Sequence, residues 1–259
     1  MRPLQVCARL FLALWLALVP VKALAGSMTL LGAGKAGAAI AFSLAYTDHA
    51  EDTTGGTTIS YGTKSIGAAD PNRIVVVALC NRGTVTNATV ASATIGGVSA
   101  TQVSGALADN GATALWTCDM WQAAVPTGTT AAVSVTYNNA SARSAIDLYR
   151  IVTGTPTRSD AGQATNSTGN TNCGITSSSF TVPSGGAGIS MYGCRGPGSA
   201  NSVTWSAPLT KDNEAIFIAS AFSASSASTS TSGATTATAS ISAASSATPI
   251  AISAAAWGP

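Results

Sequence analysis

One tight cluster of ionisable side chains stands out in the sequence, Asp48-His49-Ala50-Glu51-Asp52, and it holds the only histidine of 259 residues. Asp48, Glu51 and Asp52 are oxygen donors of the kind that a hard cation takes. They lack the alternating ligand spacing and the turn glycine of an EF-hand loop, so the cluster reads as a solvated turn leading into Thr53-Thr54-Gly55-Gly56. A Ser-His-Asp site would need His49, but no G-x-S-x-G elbow accompanies it. Paired-carboxylate hydrolysis needs two acids roughly 5–9.5 Å apart. Asp119, Asp147, Asp212 and Glu214 are the candidates on or beside expected strands, and Asp119 and Asp147 fall in strands that could be neighbours. No E-x-D-x-x-E array is present, and acids on a sheet usually face water. The reading is therefore non-enzymatic, with no cofactor.

Aromatic side chains offer a different chemistry. Trp116 and Trp257 fit core positions within apolar strand patterns. Trp121 shares the parity of Thr117 and Asp119 and is expected to face away from the core. Trp205 lies between the turn Gly196–Ser199 and the charged stretch Lys211-Asp212-Asn213-Glu214. With Tyr192, these two rings are the candidate contact residues. An exposed ring offers a large apolar face at low entropy cost, which suits stacking on a sugar or a partner.

Positioning such groups falls to strands. Ile74 to Cys80 is apolar on both parities, which reads as a central strand covered on both faces. A hairpin turning at Gly96-Gly97 follows. Ala39–Tyr46, Thr57–Ile66, Thr113–Trp121, Ala131–Tyr137 and Ser144–Val152 are further strands, then Gly154–Asn172 reads as a polar loop. Phe180 and Val182 lead through Pro183-Ser184-Gly185-Gly186 to Ile189 and Met191 as another expected hairpin. Ala215–Phe222, Thr235–Ile241 and Pro249–Trp257 keep apolar residues at strand spacing in a Ser/Ala/Thr background. Gly32-Ala33-Gly34-Lys35-Ala36-Gly37 has the form of a dinucleotide fingerprint, but no strand precedes it and no helical period follows. It reads as part of a flexible lead-in.

Only 8% of residues are charged, against roughly 25% in an average domain, so the surface relies on hydroxyls and backbone amides. Arg2, Arg9 and Lys22 lie in the first 25 residues; beyond them nine basic residues face ten acidic ones. No basic patch remains to track phosphates, so nucleic acid is not expected as a partner. Those first residues have a positive start, the apolar run Leu10 to Val19 and an ending Ala23-Leu24-Ala25. That order is a secretory signal peptide, too short to span a membrane. Met28 opens a second start, from which the product would not be exported.

Cys7 leaves with the signal peptide, and Cys80, Cys118, Cys173 and Cys194 remain. An even number in an exported chain favours disulfides. If Val182 pairs with Gly185 across the expected hairpin, Cys173 stands opposite Cys194 on the outer face, leaving Cys80 for Cys118. Zinc is disfavoured, because no C-x₂-C pair exists and the histidine is remote.

Several segments together resemble a family of small phage and prophage virion-associated proteins. They are Thr29–Gly37 (TLLGAGKAG), Arg73–Leu79 (RIVVVAL), Ala93–Thr101 (ATIGGVSAT), Val125–Thr130 (VPTGTT), Phe180–Gly186 (FTVPSGG) and Ala254–Pro259 (AAAWGP). The resemblance runs from Met28 to the C-terminus and rests on β-turn phrases. It implies a jelly-roll-like accessory component of a particle or surface, and it carries over no functional residue.

The expected fold is all-β, an antiparallel sandwich of jelly-roll type with an immunoglobulin-like sandwich as alternative, of about 11–13 strands. Residues 1–25 form the signal peptide, 26–56 a lead-in and first strand, and 57–259 a single domain. The expected role is a non-enzymatic surface or particle component. A secreted carbohydrate-binding module and a polysaccharide-active hydrolase are the alternatives. A surface glycan, other protein subunits or further copies of the chain are the expected partners, with no membrane span. The expected location is extracellular or periplasmic, or the virion if translation starts at Met28.

Overall fold

The structure is a computed structural model that describes residues 40–84, 88–108, 116–166, 173–194, 202–217, 222–241 and 249–259. The signal peptide, the lead-in up to Ala39 with its glycine motif, and the turn Gly196–Ser199 lie outside the described residues. The compact unit runs from Ile40 to Pro259.

Strands Ser43–Asp52 (β1), Gly56–Ser65 (β2), Arg73–Gly83 (β3), Val90–Ile95 (β4), Val98–Ser99 (β5), Thr101–Ala108 (β6), Trp116–Ala124 (β7) and Thr130–Val152 (β8) form one 8-stranded antiparallel sheet. Ten further strands follow. They are Asp160–Asn166 (β9), Ile175–Thr176 (β10), Phe180–Val182 (β11), Ala187–Cys194 (β12) and Val203–Trp205 (β13). Thr210–Phe217 (β14), Phe222–Thr229 (β15), Gly233–Thr235 (β16), Thr238–Ile241 (β17) and Ile250–Trp257 (β18) complete the chain. A 5-stranded sheet runs β14-β15-β12-β18-β9, and two small sheets, β10-β17-β13 and β11-β16, lie beyond it. The fold is an all-β antiparallel sandwich, as its periodicity predicts. It has more strands than the pattern suggests, because β5, β10, β11, β13 and β16 are two or three residues each.

Three hydrophobic cores separate these layers. Ile74, Val76, Ala78 and Cys80 of β3 meet Ile189 and Met191 of β12 and Ala251, Ala255 and Trp257 of β18 in the core between the two large sheets. The other parity of β3, Val75, Val77 and Leu79, belongs to a second core. The 23-residue strand β8 makes that second core. Its first half pairs with β2 and β4, its second half with β1 and β3. Registers slip around Ser141, the partner of both Gly56 and Gly83. The slip switches parity, so Val133, Val135 and Tyr137 face the same core as Ile146 and Leu148. Extra residues bend a strand and tighten its twist, and the large sheet curls over its own outer face. The third core lies under the small sheets, where Tyr192 and Cys194 of β12 meet Ile250 and Ile252 of β18, Phe180, Val203 and Ile241.

Local chemistry fixes the joints. Gly96 and Gly97 turn the β4–β5 hairpin with φ of 61° and 78°, a left-handed pair that only glycine adopts freely. Arg73 is 1% exposed, and its guanidinium donates only to backbone carbonyls, those of Val125, Ile66, Gly67, Ala68, Thr127 and Gly128. It ties two loops to the end of β3.

Cys80 bonds Cys118 directly across β3–β7, and Cys173 bonds Cys194. The first disulfide packs on Gly193, where a Cβ would stand 3.0 Å from both sulfurs. Cys194, the next residue, points into the third core with Cys173. The two bridges therefore clasp opposite faces of the end of β12.

Four expectations are corrected. The segment 180–191 is not a hairpin: β11 pairs β16, while β12, apolar on both parities, takes β15 and β18 as its two neighbours. Cys173–Cys194 is consequently buried and not an outer staple. Within the expected loop 154–172, Asp160–Asn166 is an edge strand on β18 (its last residues, 167–172, lie outside the described ones). Asp48 to Asp52 lie in β1, opposite Leu148 to Ser144, and the turn comes after them.

Candidate functional site

Two of the four acids considered for chemistry converge. Asp147 and Tyr149 project from β8 into the core between the large sheets, facing β14. In β14 the register shifts between Lys211 and Asn213, which leaves Asp212 as an extra residue. Such a bulge turns two consecutive side chains to one face and re-aims them. Asn213 Nδ2 donates to Asp147 Oδ1 at 2.7 Å, and the Tyr149 hydroxyl donates to Asp212 Oδ2 at 2.9 Å. Lys211 and Glu214 turn to the opposite face, where they pair at 2.7 Å and Glu214 accepts from the Val203 amide. Tyr46 of β1 packs edge-on against Tyr149, ring centroids 5.6 Å apart, and its hydroxyl meets His49 Nδ1 at 3.1 Å.

Burial sets the electrostatics. Asp147 is 1% exposed, and desolvation pushes its carboxyl up to about 7, with the charges of Asp212 and Glu51 adding to the rise. Burial likewise raises Asp212. Tyr149 and Tyr46 are raised by burial and then by these carboxylates. Perturbed acids in a cleft are where binding or catalysis is sought first.

Of the two acids, Asp212 lines a cavity. The space is about 700 Å³ and opens between the start of β1 (Phe42, Ser43, Leu44), the Gly185–Ala187 entry to β12, and Thr210 and Ser228 to Thr231 around β14 and β15. Asp147 sits behind it, held by Asn213. A hydrolytic acid pair must have both carboxyls at the scissile bond; here one faces the cavity and one the core.

The remaining candidates separate. Asp119 pairs across β3–β7 with Leu79, in the second core's layer, while Asp147 pairs with Ala78 in the first. Strand β3 stands between their strands, so the two acids share neither a face nor an edge. Asp119 is 5% exposed, accepts from Gln102 Nε2 at 2.5 Å and is pushed by burial up to about 7. Asp48 accepts the Ser65 and His49 amides, and Asp52 accepts the Gly55 and Thr54 amides, so both are backbone anchors. Among the described residues no group of three or more His, Cys, Asp or Glu could hold a metal ion.

The aromatic candidates form no platform. Trp121 does face away from the inter-sheet core, but the curl of β8 puts the second core there and leaves it 8% exposed. Tyr192 is 0% exposed and donates to the Cys173 carbonyl at 2.9 Å, because its parity of β12 faces the third core. Trp205 is half-buried, edge-on to Tyr192 at 6.2 Å, with its Nε1 donating to Ser225 Oγ at 3.0 Å.

Sequence reasoning missed Tyr46, Tyr149 and Asn213. The signal was the Lys211–Glu214 stretch, whose four polar residues cannot all face one way in a regular strand. Comparison with protein-family models, curated proteins and solved structures finds no match.

Proposed function

We propose that this chain is an exported, non-enzymatic β-sandwich that serves as a component of a surface or particle and acts by binding and assembly. The observation that supports the reading is the burial of Asp147 behind Asn213, which leaves one carboxylate at the cavity among the described residues. Two disulfides are compatible with an oxidising destination, and no helix of the described residues is long and apolar enough to cross a membrane. The low charge and the resemblance to virion-associated proteins support a particle or surface role.

Fractionation of the native source tests the location. The protein is expected in the outer or particle fraction, beginning at Gly26 and with both disulfides formed. A terminus at Met28 or Thr29, together with free thiols, would move it to an unexported protein. Incubation with soluble polysaccharides, read by new reducing ends, tests the absence of catalysis. Turnover that vanishes in Asp212→Asn would replace the proposal with the hydrolase reading.

A further inference from the structure

We propose that the Asp212 cavity is a binding site for a neutral, polyhydroxylated ligand, a short segment of glycan. The inference rests on the binding reading above and names its ligand class. The cavity, about 700 Å³, lies within the roughly 300–1,000 Å³ of small-molecule sites. Among the described residues, Asp212 is the only charged one lining it. A carboxylate at the cavity disfavours an anionic ligand. Asp212 accepts from the Tyr149 and Ser228 hydroxyls, and a single carboxylate so engaged gives a metal ion too few donors.

Six hydroxyl side chains line the rest of the space: Ser43, Thr210, Ser228, Thr229, Ser230 and Thr231. Each can both donate and accept, the pattern that a sugar's hydroxyls return. Phe42 and Leu44 form an apolar strip at the β1 side, suited to the C–H face of a sugar ring. A purely apolar ligand would strand the hydroxyls, each unpaired buried group opposing binding. Thr210 and Asp212 reach the cavity by ordinary strand alternation, and the register shift after them turns Asn213 to the same side, where it holds Asp147 behind the site.

The test uses the mature, disulfide-bonded chain titrated by calorimetry with neutral trisaccharides of glucose, mannose and N-acetylglucosamine. Trigalacturonate and spermidine serve as the anionic and cationic controls. At least one neutral trisaccharide is expected to bind, and Asp212→Ala and Thr210→Val are each expected to weaken it at least tenfold. Thr210 is exposed at the start of an edge strand, so its variant keeps the wild-type melting temperature even if Asp212→Ala loosens the bulge. Glu214→Gln, altered on the opposite face, is expected to bind as the wild type does.

Binding of none of the neutral sugars, preference for either charged control, or affinity unchanged in Thr210→Val would overturn the site. A trisaccharide that is bound and cleaved would keep the site and remove the non-enzymatic reading. A protein found on the surface or particle that binds no sugar would do the reverse.

Discussion

The two large sheets fill their cores with different side-chain chemistry. In the 8-stranded sheet the cores are filled by volume: Val75, Val77, Leu79, Ile95, Val133, Val135, Ile146 and Leu148 interlock within a sheet that curls on itself. In the 5-stranded sheet the central strands mix large side chains such as Ile189, Met191, Tyr192 and Trp257 with many small ones. Ala251, Ala254, Ala255, Ala256, Ser223, Ser225 and Ser226 are all 0% exposed. There the neighbouring layers must approach closely. Gly193, which accommodates a disulfide against its backbone, is the limiting case. The lesson is that one chain closes two cores by different means, one through side-chain bulk and one through proximity. Each should fail in its own way.

The largest expected effect is at the joint of the first sheet. Arg73→Ala leaves six carbonyls without the guanidinium that satisfies them, and desolvated acceptors cost about 1–3 kcal/mol each where water cannot enter. A loss above about 4 kcal/mol is expected by urea denaturation. Arg73→Lys should recover little, since an ammonium cannot fork to two loops. If Arg73→Ala melts within a degree or two of the wild type, the loops hold themselves and the joint is not at Arg73.

Next come the buried acids, one in each kind of core. Asp119 and Asp147 are both pushed by burial from 3.8 up to about 7. Between these values the folded chain holds a proton that the unfolded chain has released. Stability therefore falls as pH rises from about 4 to about 7 and is flat above that. The drop is at most about 4 kcal/mol for each acid. Asp119→Asn and Asp147→Asn should each remove their share and be more stable than wild type at pH 8. Thermal melts from pH 4 to 8 decide this, and a wild-type profile rising with pH would reverse the assignment. Should only one variant flatten the curve, the two cores differ in water access as well as in filling.

Much of the first sheet can be read in the sequence because bulk side chains carry periodicity. The β3 run Ile74–Cys80 and the Gly96-Gly97 turn follow from local pattern, whereas Cys80–Cys118 follows only as the remainder after Cys173–Cys194. The second sheet carries less. Asp160–Asn166 has no apolar rhythm because β18 supplies its pairing and small residues its packing. The Cys173–Cys194 pairing is right, although the hairpin used to reach it does not form. The site depends on a single inserted residue at Asp212, and the burial of Trp121 on a parity switch near Ser141. Both are register events, set by partners distant in sequence; the first leaves only the polar run Lys211–Glu214 as a mark, and the second leaves none in local composition.

A matched pair of core substitutions sharpens the contrast between bulk and proximity. Leu79→Ala empties part of the curled core and is expected to cost about 3 kcal/mol, within the range for large-to-small changes. Ala255→Leu in β18 forces side-chain volume between layers that have no room, at about 2 kcal/mol. The reciprocal tests, Val77→Ile and Ala255→Gly, should each cost less than their partners. Denaturation midpoints compare all four. If Ala255→Leu is neutral, the second sheet has slack and the proximity account is wrong.

The smallest effect is expected at the outer layer of the second sheet. Trp205 Nε1 donates to Ser225 Oγ, and Ser225 in turn donates to the Asn213 carbonyl at 2.7 Å, on the far side of the sheet from Asp147. A chain of two hydrogen bonds thus runs from the half-buried ring to Asn213 in the bulge. Trp205→Phe keeps the edge-on contact with Tyr192 and removes only the first link. Ser225 can still donate to Asn213, and its vacated acceptor site is the only loss. About 1 kcal/mol or less is expected, as for a single neutral hydrogen bond. The bulge should keep its register, because β14 and β15 remain paired on both sides of it. The Asp147 titration followed by NMR should then be unmoved. A loss above about 3 kcal/mol with a displaced Asp147 titration would give a different picture. In that case the outer layer, and not the pairing with β15, would hold the bulge, and proximity alone would not close this half of the molecule.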